Sequence, residues 1–257
     1  MAVLVLGRPV VRTGGVPRHP TRRMTRILLG VLALRANRAL SLEWVVEALW
    51  PNRPPASAAA NVRTHIADLR GLLRAAGQGR PAIVTSREGY VLVAPPDGVD
   101  VTLFQRLLAE AHELRGRGEA IAAAGCLARA VALWRGPVMA GVPVPEAVRP
   151  DVTVLDEQRI GAIEDLVGVR LALGLHDGLV AALAGLVVEH PLRERLWRHL
   201  VAALAAEGRR TEAVAVYRRL VAVLDAELGV PPSADTIALY ESVRRNDPAA
   251  SEPGGQN

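Results

Sequence analysis

A chain of 257 residues, half of them hydrophobic, has length for two domains of ordinary size and the apolar mass to build a core. Its single cysteine excludes an internal disulfide framework and suits a reducing cytoplasm, and its longest apolar run, residues 178–188, is far too short to span a membrane. Residues 1–100 carry 14 arginines against 6 acids, a net +8, while the remainder carries 17 against 20, a net −3; a basic half beside a mildly acidic one points to a polyanion-binding module joined to something else.

Residues 2–20 are short apolar pieces divided by Gly7, Gly14, Gly15, Pro17 and Pro20, the pattern of a small antiparallel sheet. A helix over 22–36 follows, with Ile27, Val31 and Leu34 inward. Arg22, Arg23 and Arg26 crowd its first turn, where the helix dipole disfavours cations, so a phosphate is expected nearby. Asn37 suits the left-handed residue that closes a helix. Ser41 is a good N-cap for a second helix whose apolar face is Leu42, Val45, Val46 and Leu49. Pro51 ends it. Pro54 and Pro55 stiffen the loop, and Pro55 suits the first turn of the next helix.

That third helix carries the most information. Val62, Ile66, Leu69 and Leu73 make a buried stripe, and the opposite face holds Ser57, Asn61, Thr64 and Asp68. Arg63, Arg70 and Arg74 line one flank and His65 the other. Residues 83–93 read as a hairpin with Glu88-Gly89 near its turn. Helix, stiff loop, polar-faced helix and hairpin is the order of a winged helix-turn-helix, whose second helix enters the major groove while arginines reach phosphates. Asp68 has His65, Thr64, Gly71 and Leu72 at helical spacing, so no arginine on its own helix pairs with it. It reads two ways: an acceptor for a cytosine amino group, or a solvated charge that weakens non-specific binding.

Pro95-Pro96-Asp97-Gly98 is the expected domain boundary, and residues 1–98 are expected to fold alone. Beyond it the pattern is all helical, over 101–115, 119–134, 152–173, 176–189, 192–206, 211–227 and 233–245, with an irregular loop at 136–150. Gly174 and Gly208 open matching strings 34 residues apart, with a looser copy at Gly116, and 34 is the tetratricopeptide period. Gly208, Ala213 and Tyr217 form the best instance. The expected architecture is mainly α with a small β component: a winged helix-turn-helix over 1–94, an all-α tetratricopeptide-like domain over 99–245, and a disordered tail over 246–257.

Little else carries chemistry. The six histidines show no zinc-ligand spacing, and no nucleophile elbow, dinucleotide turn, phosphate loop or spaced carboxylate pair occurs. No enzyme activity, metal or cofactor is expected. Cys126, Trp134 and Trp197 read as core, and His190 before Pro191 as a structural junction.

The two halves together resemble the Streptomyces antibiotic regulatory protein family of transcriptional activators. In the first half, similar to an OmpR-type winged helix, the resemblance rests on Leu34-Arg-Ala-Asn-Arg-Ala-Leu-Ser41, Glu47-Ala-Leu-Trp50, Arg53-Pro-Pro55, His65-Ile66, Leu69-Arg70 and Gly89-Tyr90. In the second, similar to a bacterial transcriptional activation domain, it rests on Ala132-Leu-Trp-Arg-Gly-Pro137, Glu189-His-Pro-Leu-Arg-Glu-Arg195, Gly208-Arg209 and Glu227-Leu-Gly-Val-Pro231. It spans residues 2–245. The resemblance implies an activator of an antibiotic biosynthetic cluster, acting in the cytoplasm at the nucleoid. Such proteins bind direct repeats in double-stranded DNA near promoters, as a dimer, and engage RNA polymerase. It implies DNA contacts from Asn61, Thr64, His65 and Arg70, a wing that includes Arg87 and Tyr90, and a polymerase-facing loop with Asn52 and Arg53. Arg22, Arg23, Arg63, Asp68 and Arg74 complete the expected DNA surface. Ala67-Asp68-Leu69-Arg70-Gly71 lacks two basic positions of the family pattern, and no receiver or nucleotide-binding domain is expected. The competing reading is a helical-repeat interaction module whose winged helix no longer reads DNA.

Overall fold

In the computed structural model, residues 2–75 and 81–245 are described; the tail expected over 246–257 lies outside them. The described residues pack as two compact units, divided between residues 162 and 163.

The first unit begins with a three-stranded antiparallel sheet, β1 (Val3–Leu4), β2 (Val10–Thr13) and β3 (Val16–Arg18). Val3 pairs with Val11 and Leu4 with Val10, and the Gly14-Gly15 pair, both at positive φ, turns β2 into β3. The run from Ala2 to Leu6 is almost entirely buried. Its edge is covered from far along the chain: Arg135 donates its N–H to Leu6 O, Met139 to Val5 O and Ala140 to Gly7 O. Asp100, 1% exposed, accepts from Val5 N and Leu6 N at 2.8–2.9 Å. The packing unit therefore runs well past the Pro95–Gly98 linker, because the first strand is completed by residues that follow it.

Three helices come next: α1 (Arg23–Leu34), α2 (Leu42–Leu49) and α3 (Ala58–Arg74). α1 is buried over most of its circumference, with Met139 pressed so close to Gly30 that a Cβ there would sit 2.6 Å from its Cε. Ile27 and Val31 face inward as expected, but Leu34 is half-buried. Asn37 adopts φ +65° and its side chain bonds both the N–H and the carbonyl of Ala94, closing α1 onto the hairpin. Ser41 caps α2 by accepting from Trp44 N, and Val45 and Leu49 are buried. Pro55 lies outside α3: its carbonyl accepts from Ala58 N, so the helix starts three residues later than its proline suggested. Val62, Ile66, Leu69 and Leu73 are the buried stripe.

The hairpin is β4 (Ala82–Ser86) and β5 (Gly89–Val93), joined by Arg87 and Glu88. Leu40 pairs with Tyr90 through two backbone bonds, at N···O distances of 2.8 and 2.9 Å. This approach demands glycine at 89, where φ is +131° and a Cβ would lie 2.0 Å from Leu40 O.

The rest of the unit is α4 (Asp100–Gly116), α5 (Ala120–Val131), an irregular stretch with one 3-10 turn, and the first part of α6 (Arg149–Ala172). Phe104 is fully buried and meets Trp134 edge to face at 5.4 Å; Trp134 itself is half-buried rather than core. Cys126 is buried.

The second unit holds the end of α6 with α7 (Leu179–Glu189), α8 (Glu194–Ala206), α9 (Arg210–Leu228) and α10 (Ala234–Arg245). Its core gathers Leu183, Trp197, Leu200, Leu204, Leu220 and Leu224, and Trp197 donates to Pro191 O at 2.9 Å. The internal repeat has a local cause. After α4, α6 and α8, a glycine at positive φ (Gly118, Gly174, Gly208) donates to the carbonyl three residues back, and the next residue donates to the carbonyl five back. The third copy is thus centred on Gly118, not Gly116.

Candidate nucleic-acid interface

α3 is fixed from below by its buried stripe, from the side by α1 and α2, and at its C-terminal half by the hairpin. What remains outward is Ala60, Arg63, Thr64, Ala67, Asp68, Gly71 and Arg74, with Asn61 half-buried. Asn61 donates to Ser57 Oγ and Thr64 to Ala60 O, so both hydroxyl and amide are held along the helix axis with acceptor or donor capacity left over. Arg63 is exposed, and so are Arg23 at the start of α1 and Arg87 at the hairpin tip. None of these three arginines, nor Arg74, has a carboxylate partner among the described residues; Arg74 Nε donates to Arg70 O.

Four of the expected contact residues are placed differently from the sequence reading. His65 is 8% exposed and its Nδ1 shares a 2.9 Å hydrogen bond with Thr25 Oγ1 of α1. Burial holds its pKa below the ordinary imidazole value; Asp68 acts against that and Arg22 with it. This inward histidine ties α3 to α1. Tyr90 is 9% exposed and its backbone pairs with Leu40, so its side chain is buried rather than presented on the hairpin surface. Arg70 reaches across to β4, where Nε donates to Ile83 O and NH2 to Thr85 Oγ1, both at 2.8 Å. Its guanidinium fixes the wing against α3. Asp68 has a partner after all: Arg22 NH1 lies 3.3 Å from its carboxylate, from 46 residues away in sequence. Helical spacing could exclude only partners on the same helix.

The outward face of α3 therefore carries a short polar strip, Asn61, Thr64 and the Arg22–Asp68 pair, with Arg63 and Arg74 on the same helix, while Arg23 of α1 and Arg87 of the hairpin tip are also exposed. A strip of small and polar side chains rimmed by unneutralised guanidiniums can donate to base edges and hold phosphates on either side. The loop between α2 and α3 is exposed throughout residues 51–57, with Asn52 at φ +68° and Arg53 N bonded to Pro51 O. Among the described residues, no helix is long and apolar enough to cross a membrane.

A family model described as "Transcriptional regulatory protein, C terminal" matches residues 19–92, and one described as "Bacterial transcriptional activator domain" matches residues 99–244. The chain is 32% identical over 260 residues to the regulatory protein DnrI of Streptomyces peucetius, covering 99% of this chain and 96% of that one. It is 37% identical over 229 residues to the regulatory protein AfsR of Streptomyces coelicolor, covering 88% of this chain but only 22% of that larger protein. Among solved structures, Mycobacterium tuberculosis EmbR in complex with a low affinity phosphopeptide superposes with a TM-score of 0.85 at 28% identity, over 96% of this chain and 65% of that one.

Proposed function

Because the chain belongs to the Streptomyces antibiotic regulatory protein family of transcriptional regulators, we propose that it is a sequence-specific DNA-binding activator that reads promoter direct repeats as a dimer and engages RNA polymerase. The observation that carries this reading is the outward face of α3, where Arg63 and Arg74 stand without acidic partners beside Asn61 and Thr64, with Arg23 of α1 and Arg87 of the hairpin tip likewise exposed and without acidic partners among the described residues. Unneutralised cations around hydrogen-bonding side chains are what a duplex complements. The functional junction falls at residues 95–98, with DNA binding before it and activation after it. Its target is a secondary-metabolite gene cluster, and its place of action is the cytoplasm, at the nucleoid.

Within this reading Asn61, Thr64 and Arg63 meet the groove, and Arg22, Arg23, Arg74 and Arg87 meet the backbone. Arg70, His65 and Tyr90 position the helix and the wing. Asn52 and Arg53, presented by the loop ahead of α3, face polymerase. Arg53→Ala is expected to spare DNA binding and lower activation.

A gel shift over a salt series tests the core of the proposal. Four phosphate-neutralising arginines per chain give a slope of log K against log salt of roughly −3 to −4 for each bound copy. A flat salt dependence would favour the alternative, a helical-repeat interaction module. Two features favour that alternative: Asp68 on the groove face, and the commitment of Arg70 to the wing.

A further inference from the structure

A second cluster of cations draws none of its members from the recognition helix, although His19 also borders Arg22 and Asp68. Arg8, Pro9, His19, Arg26, Ala140 and Gly141 line a pocket of about 170 Å³ in the first unit. Arg8 follows β1, Arg26 sits in the first turns of α1, His19 follows β3, and Ala140-Gly141 belong to the segment that covers β1. No carboxylate lines the pocket, and neither Arg8 nor Arg26 has an acidic partner among the described residues. The nearby Arg135 is committed to Asp100, at 3.2 Å, and its other nitrogen donates to Arg8 O. Arg26 Nε is shielded from solvent and has no hydrogen-bond partner. Arg8 passes over Gly141, where an added Cβ would lie 3.6 Å from its Nε.

Two arginines that line one pocket without a counter-charge repel each other, and a buried N–H without an acceptor is unfavourable. An oxyanion in the pocket relieves both, since guanidinium forks match tetrahedral oxyanions well. The volume is below the roughly 300–1,000 Å³ of sites for drug-sized ligands, which restricts the occupant to a compact group. None of the lining residues comes from α3 or the hairpin.

We propose that the Arg8–His19–Arg26 pocket is an anion site that takes the phosphoryl group of a free, small phosphorylated ligand rather than a phosphate of DNA. The site would let a phosphorylated metabolite stabilise the sheet-to-α1 corner on which α3 is mounted.

The probe is inorganic phosphate, titrated into the full chain without DNA, at constant ionic strength maintained with chloride. The expected result is a saturable rise in melting temperature with phosphate and none with chloride. Arg26→Gln and Arg8→Gln are each expected to weaken the phosphate response at least tenfold with unchanged helical circular dichroism. Arg8 is exposed, so its variant keeps the test decisive if Arg26→Gln fails to fold. No saturable response, or one that both folded variants retain in full, overturns the site. A second arm repeats the titration on chain bound to an operator duplex. Undiminished phosphate binding supports a free ligand. Displacement of phosphate by duplex, with a salt slope about one unit shallower in Arg8→Gln, assigns the pocket to a DNA phosphate and overturns the proposal. The first arm contains no DNA, so its failure leaves the DNA-binding reading untouched.

Discussion

At the scale of single residues, the Arg22–Asp68 pair governs the charge that α3 presents. Both side chains are substantially exposed, at 60% and 44%, so the pair adds little to stability. Under the proposed reading its effect on DNA is larger, because the carboxylate offsets part of the charge that Arg22 brings to the backbone. Asp68→Ala is therefore expected to free Arg22 and tighten binding to all duplexes alike, by a factor of a few. Affinities for an operator and its single-base variants at fixed salt check this; a selective loss of preference at one cytosine would instead make Asp68 a base contact. Arg70 acts differently. With its donors spent on Ile83 O and Thr85 Oγ1, Arg70→Ala is expected to cost about 1–3 kcal/mol of DNA affinity by releasing the wing. If so, Thr85→Ala and Arg70→Ala combined lose less than the sum of the two single losses, as a double-mutant cycle would show. Additive losses would point to a direct phosphate contact by Arg70.

At the scale of elements, the hairpin and the corner of α1 and α2 each hang on one position. Gly89 lets β5 lie against Leu40; Gly89→Ala places a Cβ on a backbone carbonyl at a φ that favours glycine. We expect a loss of about 2–4 kcal/mol in urea unfolding, with the wing lost first in hydrogen exchange. Arg35 fastens the end of α1 to the start of α6: Nε donates to Asp151 at 3.1 Å, NH2 to Ala147 O, and the guanidinium stacks 4.5 Å over Trp44 of α2. It joins the helix-turn-helix to sequence beyond residue 99 by an ion pair and a hydrogen bond while stacking on Trp44 within it.

At the scale of the whole molecule, stability depends on where the chain is cut and on pH. A fragment ending at residue 98 leaves Val5 N and Leu6 N without Asp100 and the edge of β1 without residues 135–140. A fragment of residues 1–162 is expected to melt cooperatively at a higher temperature than one of residues 1–98, by circular dichroism. In the second unit, burial pushes His199 down to about 4, with Arg195 and Arg198 adding to the effect. Unfolded, the imidazole takes its proton near 6.5. Stability from this group is thus complete above about pH 6.5 and falls as pH drops towards 4, by up to about 3 kcal/mol. Buried Glu164, raised by desolvation, works the other way as it takes up its proton, which shallows the decline. His199→Gln is expected to flatten the fall in urea midpoint between pH 6.5 and 4.5; an unchanged slope would mean that another group carries it.

The amino-acid sequence by itself determined the order of elements, the buried stripe of α3, the Ser41 cap and the seven helices after residue 99. Each of these is written in neighbours three or four residues apart or in one capping side chain, which any sequence displays. The family resemblance was legible for the same reason, since it lies in short contiguous strings. Tertiary structure alone decided what the polar face of α3 does. His65 turns inward to Thr25 across 40 residues, Arg22 neutralises Asp68 across 46, and Asp100 completes the first strand across 95. Helical periodicity states which side of a helix is apolar, not what the polar side will meet. A histidine or an arginine on that side is free for DNA only if no acceptor from elsewhere reaches it first, and that depends on the packing of segments far apart in sequence.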